Sequence, residues 1–247
     1  MPAISVRGVG KRFRVEHAHR PHTLHEALTR GFGRLQPADM FWALRDIDLD
    51  VAAGSSLGLI GANGAGKSTL LRLIARVGRP DTGRIDVNGS LSALLDLGAG
   101  FHPDLTGREN VIVSGVIIGM RRAEVERRFD EIVAFAELEA FIDNPMRTYS
   151  TGMRMRLAFS LAVLAEPAVL LVDEVLTVGD LNFQEKCTSR IAELRARGCT
   201  MLLCSHDTNL ILELCDSAAW LEGGRINRVG AAGDILEAYT QASKRHD

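Results

Sequence analysis

Gly61-Ala62-Asn63-Gly64-Ala65-Gly66-Lys67-Ser68-Thr69 carries the strongest structural signal in the chain. It follows the apolar run Leu57-Gly58-Leu59-Ile60 and precedes Leu70-Leu71-Arg72-Leu73-Ile74-Ala75, which has helical spacing. This is the pattern G-x-x-x-x-G-K-[ST] set between a strand and a helix. Its glycines let backbone N–H groups curl around phosphate oxygens where a Cβ would obstruct them. A helix starting near Lys67 aims its positive end at the same anion. The pattern predicts a bound nucleoside triphosphate, with Gly61, Ala62, Asn63, Gly64, Ala65, Gly66, Lys67, Ser68 and Thr69 around its phosphates. Lys67 is expected to reach the β- and γ-phosphates, and the Ser68 hydroxyl to ligate Mg²⁺.

Away from this loop, the patterning is that of an α/β protein. Residues 4–15 read as a short strand pair, and Ile47, Leu49 and Val51 alternate as in a half-buried strand. Ile85 and Val87 run toward Asn88-Gly89, a hairpin signal, after which Leu91–Leu95 is expected to return beside them. Thr106-Gly107-Arg108-Glu109 is a capping box opening a helix to about Ile118. Val125, Phe129, Ile132, Val133 and Ala136 predict an amphipathic helix over about 122–138, with Arg121, Arg122, Arg127 and Arg128 on a solvated face. The apolar runs Ala168–Val172, Thr200–Cys204 and Ala218–Leu221 suit a parallel sheet covered on both faces. One helical pattern between them carries Phe183, Cys187, Ile191 and Leu194 on one side. Strand-helix alternation predicts right-handed crossovers, with ligands beyond the carboxyl ends of the strands.

Composition narrows the function. The 247 residues carry 29 basic and 31 acidic side chains, a net charge of −2, which argues against a nucleic-acid binder. No apolar run reaches the ~18 residues of a membrane span, and the first residues lack the apolar core of a signal peptide. A cytoplasmic protein is expected, with any membrane role exercised through a partner. Cys187, Cys199, Cys204 and Cys215 have no paired spacing and read as small buried hydrophobes. Four histidines (His17, His19, His22 and His25) lie in an irregular insertion at about 16–40. They fit a solvated or partner-facing segment better than a zinc site, since no cysteine or carboxylate frame of ligand spacing supports one.

At the predicted strand ends, further polar groups join the glycine loop. Asp173-Glu174 closes the run Val169-Leu170-Leu171-Val172, where charge is costly unless used or exposed. Asp173 suits a Mg²⁺ contact through water, and Glu174 suits polarising the water that attacks the γ-phosphate. His206 ends the next strand, where its imidazole suits contacting the γ-phosphate and holding the water in place. Tyr149-Ser150-Thr151-Gly152-Met153 leads into the strong helix Arg154-Met155-Arg156-Leu157-Ala158-Phe159-Ser160. Ser150 and Gly152 at that helix start form a second anion site.

In order and spacing, over essentially the whole chain, the glycine loop, Tyr149–Met153, Val172–Asp180 and Ser205-His206 resemble the ATP-binding cassette (ABC) proteins. The resemblance implies a P-loop NTPase (RecA-like) core with an antiparallel β subdomain and an inserted α-helical subdomain. Residues 1–247 are then a single ABC ATP-binding domain: 1–95 and 156–247 form the nucleotide-binding core with its β subdomain, and 96–155 the helical subdomain carrying the signature. It implies ATP and Mg²⁺ as cofactors, catalytic Glu174, His206 and Lys67, and Mg²⁺ contacts from Ser68 and Asp173. Two copies close head to tail, so that Ser150 and Gly152 of one complete the ATP site of the other. Thr177, Val178, Gly179 and Asp180 match the loop crossing that dimer interface. Phe13 matches the aromatic that stacks on adenine, where tyrosine is commoner.

Within the family the chain looks like the ATPase subunits of exporters for lipid-linked polysaccharides such as O-antigen, capsule and teichoic acid. The likeness lies in Tyr149–Ser160, Asp173–Asp180, and Leu97-Gly98-Ala99-Gly100-Phe101-His102-Pro103 before Thr106–Asn110, together with the insertion before Phe41-Trp42-Ala43-Leu44. It implies a homodimer on an integral-membrane permease, peripheral to the cytoplasmic side of the inner membrane. The lipid-linked glycan is then contacted mainly through the permease, and nucleic acid not at all. Only 26 residues follow Leu221, so the C-terminal glycan-binding domain of some such subunits is expected to be absent. Two departures stand out. There is no glutamine between Gln36 and Gln184, so Leu97–Phe101 occupies the place of the family's metal-linking glutamine; Met153 replaces the usual signature glutamine. Other readings are an exporter ATPase for a drug or lipid, a soluble ABC ATPase, or a nucleotide-binding regulatory module.

Overall fold

Side-chain alternation turns the apolar runs into a two-sided sheet. The computed structural model describes residues 1–14, 40–95, 97–98, 100–173, 179–205 and 207–243. Strands β3 (Ser56–Ile60), β6 (Val169–Asp173), β7 (Thr200–Cys204) and β8 (Ser217–Glu222) lie side by side and parallel. With β5 (Leu91–Leu94) and an antiparallel edge strand β9 (Arg225–Ala231), they form one sheet in the order β5-β6-β7-β3-β8-β9. Leu57, Leu59, Val169, Leu171, Leu202, Cys204, Ala219 and Leu221 face one core. Leu170, Val172, Met201, Leu203, Ala218 and Trp220 face another. A period of two with both faces covered reads in sequence as an unbroken apolar run.

The first core is closed by helix α1 (Lys67–Ile74) and by a smaller antiparallel sheet. Its centre is β1 (Pro2–Arg14), flanked by β2 (Met40–Ala52) and β4 (Thr82–Val87). Two expectations fail here. Residues 4–14 are one strand rather than a pair, bent by bulges between Val6 and Arg12, and β1 finds its partners at β2 and β4. Asn88-Gly89 does not fold a hairpin either. The Asn88 N–H donates to Ala3 O and its side-chain amide to Pro2 O, which holds the end of β4 on β1. The chain then crosses to the other sheet, where β5 runs parallel to β6. Gly89 serves that crossing: a Cβ there would lie 2.6 Å from the Ala168 methyl.

The second core is closed by helices. In chain order these are α2 (Gly107–Ile117), α3 (Arg122–Ala136), α4 (Thr151–Leu164), α5 (Leu181–Ala196), α6 (Thr208–Leu214) and α7 (Ala232–Ser243). The predicted capping box is formed, with the Thr106 hydroxyl accepting from Glu109 N and the Glu109 carboxylate accepting from Thr106 N. Phe135, Phe159 and Phe183 from α3, α4 and α5 meet at centroid distances of 6.0–6.2 Å. Of the α3 arginines expected to be solvated, Arg128 is not: it is half-buried, donating to Leu164 O at 2.6 Å and to Glu166 at 3.0 Å. The four cysteines are buried and form no disulfide among the described residues. Burial pushes the Cys187 and Cys215 thiols up to about 12 and that of Cys199 to about 11.

Candidate active site

β3 delivers the chain to the glycine loop at the carboxyl end of the sheet. Gly61 has φ 150°, and a Cβ there would lie 2.1 Å from Leu221 O, so only glycine fits without moving β8. Gly66, with φ 107°, is the N-cap of α1, and its bare Cα faces Ala43 and Leu44 of β2. Ala62, Asn63 and Gly64 are exposed at the crest. The buried Lys67 ammonium donates to Gly61 O at 2.8 Å and Ala62 O at 3.1 Å, which holds it within the curl of the loop. Ser68 and Thr69 follow on the first turn of α1, half-buried.

Register sets the acidic group level with this loop. Asp173 ends β6 opposite Cys204 of β7, and Cys204 is opposite Leu59 of β3, two residues before Gly61. Strand spacing puts Asp173 roughly 10 Å across the sheet from β3. Its Oδ1 is buried without a hydrogen-bond partner among the described residues. A buried carboxylate oxygen left unpaired is costly unless something else ligates it. Ser205 follows β7, its hydroxyl accepting from Asp207 N. Glu174, His206, Thr177, Val178 and the histidine-bearing insertion lie outside the described residues.

The expected second anion site falls at a separate helix tip. Ser150 is the N-cap of α4, and its hydroxyl accepts from Met153 N at 3.2 Å. The turn before it is fixed by Tyr149, whose buried hydroxyl donates to Phe141 O at 2.6 Å; burial also raises the phenol above its ordinary range. Around Gly152 there is space. Among the described residues a Cβ there would meet within 4 Å only Ser150 Oγ, at 3.8 Å. No packing among the described residues requires that glycine.

Two residues that hold these pieces escaped the sequence reading. Arg156 of α4 donates to Glu137 at the end of α3 and to Asp180 before α5, both at 2.7 Å, with its guanidinium 4.7 Å from the Phe183 ring centre. Asp180 also N-caps α5 through Phe183 N, and Gly179 turns there with φ 79°. Buried Asn110 ties the segment before α2, accepting from His102 N and donating to the carbonyls of His102, Leu105 and Thr106. Its signal in sequence was a polar residue on the inner face of a helix; Arg156 gave none, since its partners are remote in the chain. Phe13 stands at the end of β1, exposed and opposite Phe41.

A glycine loop with a buried lysine, at the carboxyl rim of a parallel sheet beside an acidic strand end, defines a nucleotide-binding protein of the P-loop class. Comparison with known proteins narrows the class. Residues 44–177 match the family model described as ABC transporter. The O-antigen export system ATP-binding protein RfbB of Myxococcus xanthus is 44% identical over 246 residues, covering 98% of this chain and 56% of that protein. RfbB of Klebsiella pneumoniae is 45% identical over 202 residues, 82% of each. In fold, a solved dimeric post-hydrolysis ATP-binding cassette, MJ0796 with ADP and phosphate, matches 93% of this chain and 98% of that one, with a TM-score of 0.72 at 20% identity. The chain belongs to the ABC transporter family, as one of its ATP-binding ATPase subunits.

Proposed function

We propose that this chain is the ATPase subunit of an ABC exporter that moves a lipid-linked polysaccharide of the O-antigen, capsule or teichoic-acid kind across the cell membrane. It acts as a homodimer on an integral-membrane permease, at the cytoplasmic face. Among the described residues no helix is long and apolar enough to cross a membrane, which is consistent with peripheral attachment. The export role rests on likeness to relatives named for O-antigen export.

One observation supports the dimer: the α4 tip is a capped helix start whose glycine has open space around it among the described residues. Ser150 and Gly152 then serve a γ-phosphate held by the glycine loop of the second copy. In each site Lys67 and the start of α1 hold the phosphates. Asp173, with its unpaired buried oxygen, and the Ser68 hydroxyl fit as the residues that hold Mg²⁺. When bound, that ion neutralises charge on the phosphate oxygens. Glu174 accepts the proton of the attacking water as its oxygen bonds to the γ-phosphorus and ADP leaves; His206 holds the γ-phosphate. Phe13 stacks on adenine, and Thr177–Asp180 line the dimer seam. ATP favours the closed dimer because both copies contact each γ-phosphate only there, and hydrolysis removes the preference. The helical unit, residues 96–155, passes the movement to the permease. Since α4 runs unbroken from Thr151 to Leu164, it reaches from the signature into the core.

The test is Glu174→Gln. It is expected to bind ATP, accumulate dimers in gel filtration and hydrolyse at least about a hundredfold more slowly. Turnover near that of the unsubstituted protein overturns the assignment.

A further inference from the structure

The opening of β2 carries three exposed apolar side chains in succession, Met40, Phe41 and Trp42, beside the exposed Phe13 of β1. Large exposed aromatics in a cluster call for a ligand or partner. Trp42 has a packing role: a Cβ on Gly10 would lie 2.6 Å from its ring, and the Arg12 guanidinium sits 5.0 Å from its ring centre. Phe41 is different. It lies directly opposite Phe13 in the β1–β2 register, with ring centroids 6.0 Å apart and planes 31° from parallel. Phe13 is further fixed by Lys11, whose ammonium is 5.8 Å from that ring and donates to Arg79 O at 2.8 Å.

This pair is tied to the phosphate loop by main chain. A Cβ on Gly66 would lie 2.7 Å from Ala43 O, so the loop and β2 are in close contact. The turn after β8 clamps both, Arg45 N donating to Gly224 O at 2.8 Å and Gly224 N to Ala65 O at 3.1 Å. Phe41 is two residues before Ala43, about 7 Å along the strand. A nucleotide whose phosphates lie on the loop has its base within that reach.

We propose that Phe41 is a second nucleobase-binding residue, forming with Phe13 a two-ring platform that stacks bases with little discrimination among them. The inference rests on the triphosphate reading of the loop. Aromatic faces stack on any base and offer no donor or acceptor pattern to read. Phe41 supplies affinity for the base, and the loop supplies affinity for the phosphates.

The experiment is equilibrium binding of ATP, GTP, CTP and inorganic tripolyphosphate to the full chain and to Phe41→Ala, Phe41→Tyr and Phe13→Ala, with melting curves as a check of folding. Phe41→Ala is expected to weaken ATP about tenfold, the scale of one base-aromatic stack, and to leave tripolyphosphate unchanged. Phe41→Tyr should restore ATP binding, and the unsubstituted chain should hold ATP and GTP within about fivefold of each other. Phe41→Ala binding ATP within twofold of the unsubstituted chain overturns the proposal, as does an equal loss for tripolyphosphate. A preference for ATP over GTP above about a hundredfold also overturns it, because stacking faces alone do not discriminate so strongly. Failure of the unsubstituted chain to bind either ATP or tripolyphosphate overturns the triphosphate reading, and this proposal with it.

Discussion

The glycine loop and the Ser150 tip both open a helix, yet the chain treats them in opposite ways. The base of the loop is packed: Gly61 lies against Leu221, Gly66 against Ala43 and Leu44, and Lys67 is gripped by two loop carbonyls. Around Gly152 there is open space. At the first site Gly61 and Gly66 are demanded by the fold of one chain. Gly152 is demanded, on the reading proposed above, by something that approaches from outside. Stability measurements and activity measurements should therefore separate the two sites.

The widest separation is expected at Gly61. In Gly61→Ala the methyl meets a backbone carbonyl and the backbone is at a φ that L residues resist, costing about 4 kcal/mol. Thermal melts should show a loss of roughly 10 °C or a failure to fold. Gly152→Ala is the counterpart: alanine favours a helix, so the melting temperature should hold or rise slightly. ATPase activity should nonetheless fall about a hundredfold, the scale of losing one transition-state contact. A large drop in melting temperature, or unchanged turnover, would erase the contrast between the two sites.

Arg156 sharpens the comparison, because it links the helix tip to the Gly179–Asp180 turn while touching nothing at the loop. Arg156→Met should cost about 1–2 kcal/mol. Amide exchange should quicken several-fold over 179–183 and stay unchanged over 61–66; equal quickening in both would merge the regions.

The smallest effect is expected at Glu166, which receives Arg128, Arg190 and Arg197 at the junction of α3, α4 and α5. The hydrogen bond from Arg128, chief among these contacts, holds its carboxyl below the usual range against the opposing effect of burial. A depressed folded pKa stabilises fully above the unfolded value of about 4.3 and is lost as pH falls through the folded one. The gap in melting temperature between the unsubstituted chain and Glu166→Gln should thus be steady near neutral pH and close below about pH 4. A gap that persists at pH 3 would assign Glu166 a packing role instead.

What was legible in the sequence was local. The glycine loop, the Thr106–Glu109 capping box and the Ser150 cap each depend on backbone dihedrals and hydrogen bonds within a few residues, so spacing alone exposes them. The continuous apolar runs were legible because burial on both faces removes the usual alternation. The hairpin at Asn88-Gly89 misled because a turn signal says that the chain bends and not which strand it bends toward. That choice fell to the free edges of β1 and β6. Arg128 misled for a similar reason: a helix face reads as solvated until another segment, here the end of α4, arrives to cover it.

Residue order alone specified a glycine-rich loop between a buried strand and a helix, and a second capped helix that follows a family signature. It took the assembled fold to show that an Asp173 oxygen is buried level with the loop and unpaired among the described residues, that Arg156 joins three helices, and that Phe41 faces Phe13. The division has one cause. Helix starts and tight loops are set by neighbouring residues, whereas pairings between distant residues depend on strand order and register, which only the assembled core selects.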